Sequence, residues 1–466
     1  MGEQQKRSSF SGSIGFVLAA AGSAVGLGNI WRFPYLAAKD GGGVFLLCYV
    51  ILALTFGFAL LTSEIAIGRK TRLSPLSAYG SLSKKFGWVG VLACAIPAII
   101  LPYYCVIGGW ILKYIATYIT GNGAQAVADG FFTGFITSQF SPIFWFLIYM
   151  LATAFVVYKG VNSGIEKFST FIMPVLLVLI LGISIFSLTL SHTDANGVTR
   201  TGMEGFLVYA VPNFEGMTVR SFITVLMDAM GQLFYSISVA MGIMITYGSY
   251  VKKDTDLVKS VNQIELFDTG VAFLAGLMIV PAVYTFMGTE GMAYGPSLMF
   301  VSLPKVFDSM GAIGTVIAIV FFVMVGFAAL TSSVSVMEAV VASVIDRFHM
   351  ERKAATITVT VLTMALGVVV CLGYNILYFD IVLPNGSHAQ VLDVMDYASN
   401  YVLMPVVAIA TCILIGWVLK PKAVIDEVTN NGQLKFGREK LYVVMIKFVT
   451  PVMLFFLLLQ SLGLFM

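Results

Sequence analysis

Eleven stretches of this chain run for at least 19 residues without Asp, Glu, Lys or Arg: 8–31, 41–63, 86–112, 130–158, 168–193, 229–251, 269–289, 309–337, 354–379, 397–419 and 448–466. A hydrocarbon core of about 30 Å is crossed by about 20 apolar residues in a helix. Barrel strands would need only about 10 and would alternate in polarity. The pattern therefore predicts an all-α polytopic membrane protein with eleven transmembrane helices. Buried helices of a large soluble protein are the competing reading, and composition argues against it. Only 11% of the residues are charged and 58% are hydrophobic, whereas a soluble domain carries about 25% charge. Too few charges remain to cover a water-facing surface, which excludes a soluble enzyme, a disordered chain and a nucleic-acid binder.

Orientation follows from the basic residues of the loops. With the N-terminus in the cytoplasm, 21 of the 27 Lys and Arg fall on the inner side and 6 on the outer side. An odd number of spans then puts the C-terminus outside a cell (plasma or inner) membrane. The first apolar run is too long for a cleavable signal peptide and lacks its small-residue pattern. Cys48, Cys94, Cys105, Cys371 and Cys412 all fall within expected helices, with no metal-ligand spacing, and read as small apolar fillers. No His/Cys cluster or nucleophile–base pair appears. Asn385-Gly386-Ser387 is formally a glycosylation sequon, but it follows Pro384 and is read as a plain turn.

Two segments look interrupted. The first reads GSAVGLGNIWRFP over 22–34, with Gly22, Gly26 and Gly28 in mid-helix. Each glycine costs up to about 1 kcal/mol against alanine there. A Gly22-x-x-x-Gly26 pair can serve close helix packing. That does not account for the adjacent Ser23, Asn29 and Arg32. An unwound backbone does, and it is tolerated at membrane depth only when buried in protein or lining a cavity. The sixth segment is broken by Gln232, Tyr235, Ser236, Ser238 and Gly242. Interruptions at matching places in two halves point to a midplane site in an inverted-repeat transporter, where half-helix N-termini favour an anion and freed carbonyls a cation. Segment 8 carries Thr331, Ser332, Ser333 and Ser335, either back-bonded to their own helix or facing a ligand. Glu64, Glu265 and Asp268 are expected at helix boundaries, where an acid is either functional or merely solvated. Gly164 and Pro174 in segment 5 make a hinge or a static kink.

These residues carry a resemblance. GSAVGLGNIWRFPYLAAKDGGGVF (22–45), GQLFYSISVAMGIMITYGSYV (231–251) and ALTSSVSVMEA (329–339) match, in order and spacing, the neurotransmitter:sodium symporters, specifically their prokaryotic eleven-helix amino-acid branch. The resemblance covers essentially the whole chain. It implies a single transporter domain with two inverted five-helix repeats (8–187 and 220–419), broken helices 1 and 6, and an extra helix 11 (441–466). It also implies sodium-coupled import of an amino acid by alternating access.

What the resemblance implies for individual residues is specific. A first sodium site uses the Ala24 carbonyl, Asn29, Ser236 and Asp268, completed by the substrate carboxylate. A second uses the carbonyls of Gly22, Val25 and Ala328 with the hydroxyls of Thr331 and Ser332. Hard oxygens suit a hard cation. Relatives usually carry Asn where Asp268 stands, and chloride-dependent relatives carry Ser at the Ala272 position. The fixed charge of Asp268 is expected to replace chloride. The substrate carboxylate would meet the Leu27 and Gly28 N–H groups and the Tyr104 hydroxyl. Its amine would meet carbonyls near Ala24, Tyr235 and Ser236, with the Ser238 side chain. Gly26 stands where monoamine transporters hold an acid, so an α-amino acid is expected. Ile100, Tyr104, Tyr235, Met241, Ser332, Ser335 and Val336 would form a mostly apolar pocket for a neutral hydrophobic or aromatic side chain. Another small amino-bearing carboxylate is the alternative. Arg32 and Asp396, with Gln232, are expected to pair as an outer gate, and Arg7 and Asp346 as an inner one. Glu64 would brace the unwound backbone, and Gly164…Pro174 would form a hinge. Lipid, sodium and the substrate are the expected partners.

Overall fold

The computed structural model describes residues 9–194, 197–288 and 299–464. The first span is a bent pair, α1 (Ser13–Ala24) and α2 (Phe33–Lys39), joined through a π-helical turn at Gly28–Arg32 and angled by 51°. Then follow α3 (Gly43–Thr71), α4 (Lys84–Ile119), α5 (Ser141–Tyr158) and α6 (Val161–Leu188). A second interrupted pair comes next, α7 (Val219–Ser236) and α8 (Ile243–Tyr250). The chain closes with α9 (Leu257–Met287), α10 (Ala312–Phe348), α11 (Arg352–Leu372), α12 (Val391–Val418) and α13 (Glu439–Ser461).

Among the described residues, nine helices are long and apolar enough to cross a bilayer, or ten with the bent first pair. Eleven were expected. The difference is the 229–251 segment, which stops being helical after Ser236 and resumes at Ile243. A break that serves a site removes the segment from a count based on unbroken length.

The broken pairs sit at the centre. α1 packs against α6, α9 and α10, α8 packs along α3, and α4 lies along both α5 and α10. Gly68 and Gly248 bring α3 and α8 into backbone contact, since a Cβ on either would run into the Ile245 or Ile65 carbonyl oxygen. Leu47, Ile51, Phe155, Leu362 and Phe455 are exposed large apolar side chains on spans, the surface a lipid solvent requires.

Several expected boundaries lie deep inside helices. Glu64 is fully buried within α3, Asp268 within α9 and Glu338 within α10. A rule that ends a span at its first acid cannot see that each acid finds partners there. The two short hairpins, 191–193 with 199–201 and 381–382 with 388–389, are antiparallel. Asn385-Gly386-Ser387 makes the turn of the second, where Asn385 Oδ1 accepts from the Ser387 N–H at 3.2 Å. All five cysteines are free, four of them buried.

Candidate functional site

The break in the first span leaves backbone groups without intrahelical partners, and neighbouring side chains take them up one by one. Val25 is extended (φ −76°, ψ 91°) and ends α1. Asn29 Oδ1 accepts from Gly26 N at 3.3 Å, and Leu27 N donates to Tyr104 OH at 3.3 Å. Gln232 Nε2 donates to the Gly28 carbonyl at 2.9 Å. Ser238 Oγ donates to the Ser23 carbonyl at 3.1 Å. Ser332 Oγ lies 3.1 Å from that same oxygen and 3.4 Å from both the Gly22 and Val25 carbonyls. These bonds take up part of the freed backbone, which helps to make non-helical chain tolerable at membrane depth.

The second break is held differently. Ser238 (φ 54°) and Ala240 (φ 61°) both occupy the left-handed region, which costs a non-glycine residue roughly 1–2 kcal/mol. Ala240 N donates to Glu64 Oε1 at 2.6 Å, so a buried carboxylate on α3 pins the strained turn. No bond from Glu64 to the first break is formed among the described residues, although that brace was expected on both breaks.

Between the breaks lies a small cavity. Ala24, Gly26, Leu27, Gly28, Ile100, Tyr104, Tyr235, Ser236, Ser238, Met241, Ser332 and Val336 line it, with Ser23 and Asn29. Ser335 does not; its hydroxyl donates to the Thr331 carbonyl at 2.9 Å and accepts from Tyr247 OH at 2.7 Å. A serine spaced one turn from Thr331 cannot be told apart by sequence from one that faces the cavity.

The expected ion ligands gather in two groups. Asp268 Oδ1 accepts from Ser236 Oγ at 2.7 Å and Asn29 Nδ2 at 2.9 Å, and Ser236 Oγ is 3.1 Å from Asn29 Oδ1. Asp268 Oδ2 accepts from Tyr49 OH at 3.1 Å. Tyr49 was missed in the sequence, since one tyrosine in an apolar run carries no signal of its partner. Asp268 has no Lys or Arg within ion-pair distance among the described residues, so neutral hydrogen bonds alone face its charge. The second group holds Thr331 Oγ1, 2.9 Å from the Ala328 carbonyl, beside Ser332 and the Gly22 and Val25 carbonyls. Oxygen donors of this kind fit sodium, a hard cation.

Above the cavity, a vestibule of about 1600 Å³ reaches down to Leu27, Gly28, Tyr104 and Tyr235. Arg32 and Asp396 both line it, yet they form no ion pair with each other. Asp396 accepts from Asn400 Nδ2 at 2.6 Å and Tyr103 OH at 3.1 Å, while the Arg32 guanidinium lies over the Tyr401 ring at 5.6 Å. The expected pairing is thus replaced by separate contacts across an open vestibule, as suits groups that bind weakly when solvated. On the opposite side, Arg7 lies outside the described residues, and Asp346 Oδ2 accepts from Ser74 N at 2.6 Å.

Gly164 sits in a π-helical turn (Val161–Glu166) at the start of α6, and Pro174 lies within the continuous helix that follows. Glu166, in that turn, accepts from the Ser11 backbone N–H at 3.0 Å and from the Ser11 hydroxyl. Glu338 takes a bidentate contact from Arg352 (2.8 Å twice) and a bond from Tyr250 OH at 2.6 Å. Neither link was visible in sequence, because each joins positions whose partner only the packing supplies.

Comparison with known proteins places this arrangement. The sodium:neurotransmitter symporter family model matches residues 7–129 and 132–465. A sodium-dependent transporter of Bacillus subtilis, YhdH, is 34% identical over 99% of both chains. One from Methanocaldococcus jannaschii is 31% identical over 93% of this chain and 86% of its own. The rat sodium- and chloride-dependent taurine transporter is 26% identical over 90% of this chain and 72% of its own length. The crystal structure of MhsT in complex with L-phenylalanine superposes with a TM-score of 0.84 at 34% identity, covering 98% of this chain and all of that one. By sequence and by fold, the chain belongs to the sodium:neurotransmitter symporter family and is a multi-pass, sodium-dependent membrane transporter, not an enzyme.

Proposed function

We propose that this transporter imports a neutral, apolar or aromatic L-amino acid together with sodium, by alternating access, across the cell membrane. The N-terminus is inside and the C-terminus outside. Two inverted repeats, 8–187 and 220–419, would each contribute one broken helix, with 441–466 outside the repeat.

The observation that carries this reading is the cavity between the breaks. One wall offers freed main-chain groups of 24–28 with the Tyr104 hydroxyl, suited to a zwitterion. The other, built by Ile100, Met241 and Val336, is apolar and includes an adaptable methionine. Among the described residues no Lys, Arg, Asp or Glu lines it, so a charged substrate side chain would be buried without a partner, at a cost of several kcal/mol. That MhsT was crystallised with L-phenylalanine supports the same class. Asn29, Ser236 and Asp268 would hold one sodium beside the substrate carboxylate, and the 22–25 carbonyls with Thr331 and Ser332 a second. Asp268 supplies the negative charge, so chloride is not required.

The test is thermal stability of the purified chain with each of the twenty L-amino acids, in sodium and in potassium. A true substrate at a hundred times its Kd adds about 2.7 kcal/mol. Stabilisation by Phe, Leu or a similar residue in sodium alone, followed by sodium-driven uptake in liposomes, is the expected result. Equal stabilisation in both salts, or by charged amino acids only, would overturn the reading. The taurine-transporter relative makes small amino acids with a separated amine, such as β-alanine, the second class to include in the screen.

A further inference from the structure

The end of α2 and the middle of α7 meet in a cluster of charges away from the cavity. Lys39, the last residue of α2, reaches across to α7, its Nζ lying 3.0 Å from Asp228 Oδ2 and 3.6 Å from Asp40 Oδ1. Asp40 is buried, and its second oxygen, Oδ2, meets no hydrogen-bond donor among the described residues. The Asp228 and Asp40 carboxyls are brought close by the one Lys39 ammonium that both of them meet. Two close carboxylates resist ionising together. Lys39 is the one cation that reaches Asp40 among the described residues. The other charged or titratable groups facing the cluster are Arg32, towards Asp228, and Tyr35, towards Lys39.

We propose that Asp40 takes up a proton and, with Lys39 and Asp228, forms a pH-dependent clasp that joins α2 to α7. The two half-helices carry the Gly28 and Tyr235 sides of the cavity, and Gln232 already links them lower down through the Gly28 carbonyl. The clasp adds a second link between them, farther from the breaks. Burial, and then the charge of Asp228, pushes the Asp40 carboxyl up to about 7, with Lys39 pulling the other way. Because the folded value lies above the ordinary 3.8, the clasp's stabilisation is complete below about pH 4. It is lost as pH rises through about 7. One proton limits any dependence to about tenfold per pH unit.

The experiment is thermal unfolding of the purified full chain between about pH 5 and pH 9, for the wild type, Asp40→Asn and Asp228→Asn. The wild-type midpoint should fall as pH rises through about 7, and both variants should lack that step. Infrared difference spectra should show a protonated carboxyl in the wild type that titrates over the same range and is missing from Asp40→Asn. A pH step or a carboxyl band that survives in Asp40→Asn overturns the clasp. Neither readout involves transport, so the clasp stands or falls apart from the substrate proposed above. In liposomes, sodium-driven uptake by the wild type should change with external pH across this range, and uptake by Asp40→Asn should not.

Discussion

Gly26 shows how one missing side chain sets the chemistry of the cavity. A Cβ there would lie 2.5 Å from Ser332 Oγ and 3.0 Å from Tyr104 OH, both in the proposed binding wall. Gly26→Asp would crowd these groups and add a buried charge where the substrate carboxylate is proposed to sit. Amino-acid uptake should fall roughly a hundredfold or more, measured as initial rate in liposomes; wild-type uptake would refute the pose. Ala240 makes the opposite case. It is held at φ 61° by the Glu64 bond, in a conformation that glycine adopts freely. Ala240→Gly relieves that strain but gives the unfolded chain more freedom, offsetting part of the gain. The net expectation is a stabilisation of roughly 0.5–1 kcal/mol, seen as a higher unfolding midpoint with the fold unchanged. A lower midpoint would mean that Ala240 is not strained.

Among the elements, α6 departs from regular helix at its start. Its π-helical turn at Val161–Glu166 is bonded to Ser11 through Glu166, so unwinding there and release of the N-terminal segment are coupled. Pro174, about two turns past the π-helical start, lacks the N–H that would tie it to residue 170. If the α6 start opens a path for sodium, Pro174→Ala strengthens the helix against opening. Sodium release and turnover should slow several-fold while equilibrium binding of sodium and substrate is kept. Wild-type turnover would remove the hinge role.

Over the whole molecule, the question is how the charge of the ions is balanced and used. Asp268 is buried with no cationic side chain near it among the described residues, and its partners are Asn29, Ser236 and Tyr49. A bound sodium is its natural counter-charge. Uptake should therefore be unchanged when gluconate replaces chloride. Asp268→Asn should weaken sodium binding tenfold or more, about 1.4 kcal/mol, read from sodium titrations of substrate binding. Chloride-stimulated uptake by the wild type would contradict this. The driving force is ample. One charge crossing 100 mV gains about 2.3 kcal/mol, and a tenfold gradient adds about 1.4 kcal/mol. Two sodium ions would supply roughly 7 kcal/mol, enough for a substrate ratio above about 10⁴.

Membrane class, approximate span positions and the interruption of the first and sixth segments were legible in the sequence, whereas the residues expected to line the cavity came from the family resemblance. The first three depend on local composition, because lipid forbids charge and unpaired backbone wherever they fall along the chain. Long-range pairing was not legible. That Glu64 holds Ala240, that Tyr49 holds Asp268, that Ser335 turns to Tyr247, and that Arg32 and Asp396 face one vestibule without pairing were decided only by packing. A hydrogen bond takes its energy from a distance and an angle, and neither exists until helices far apart in the chain have been brought side by side.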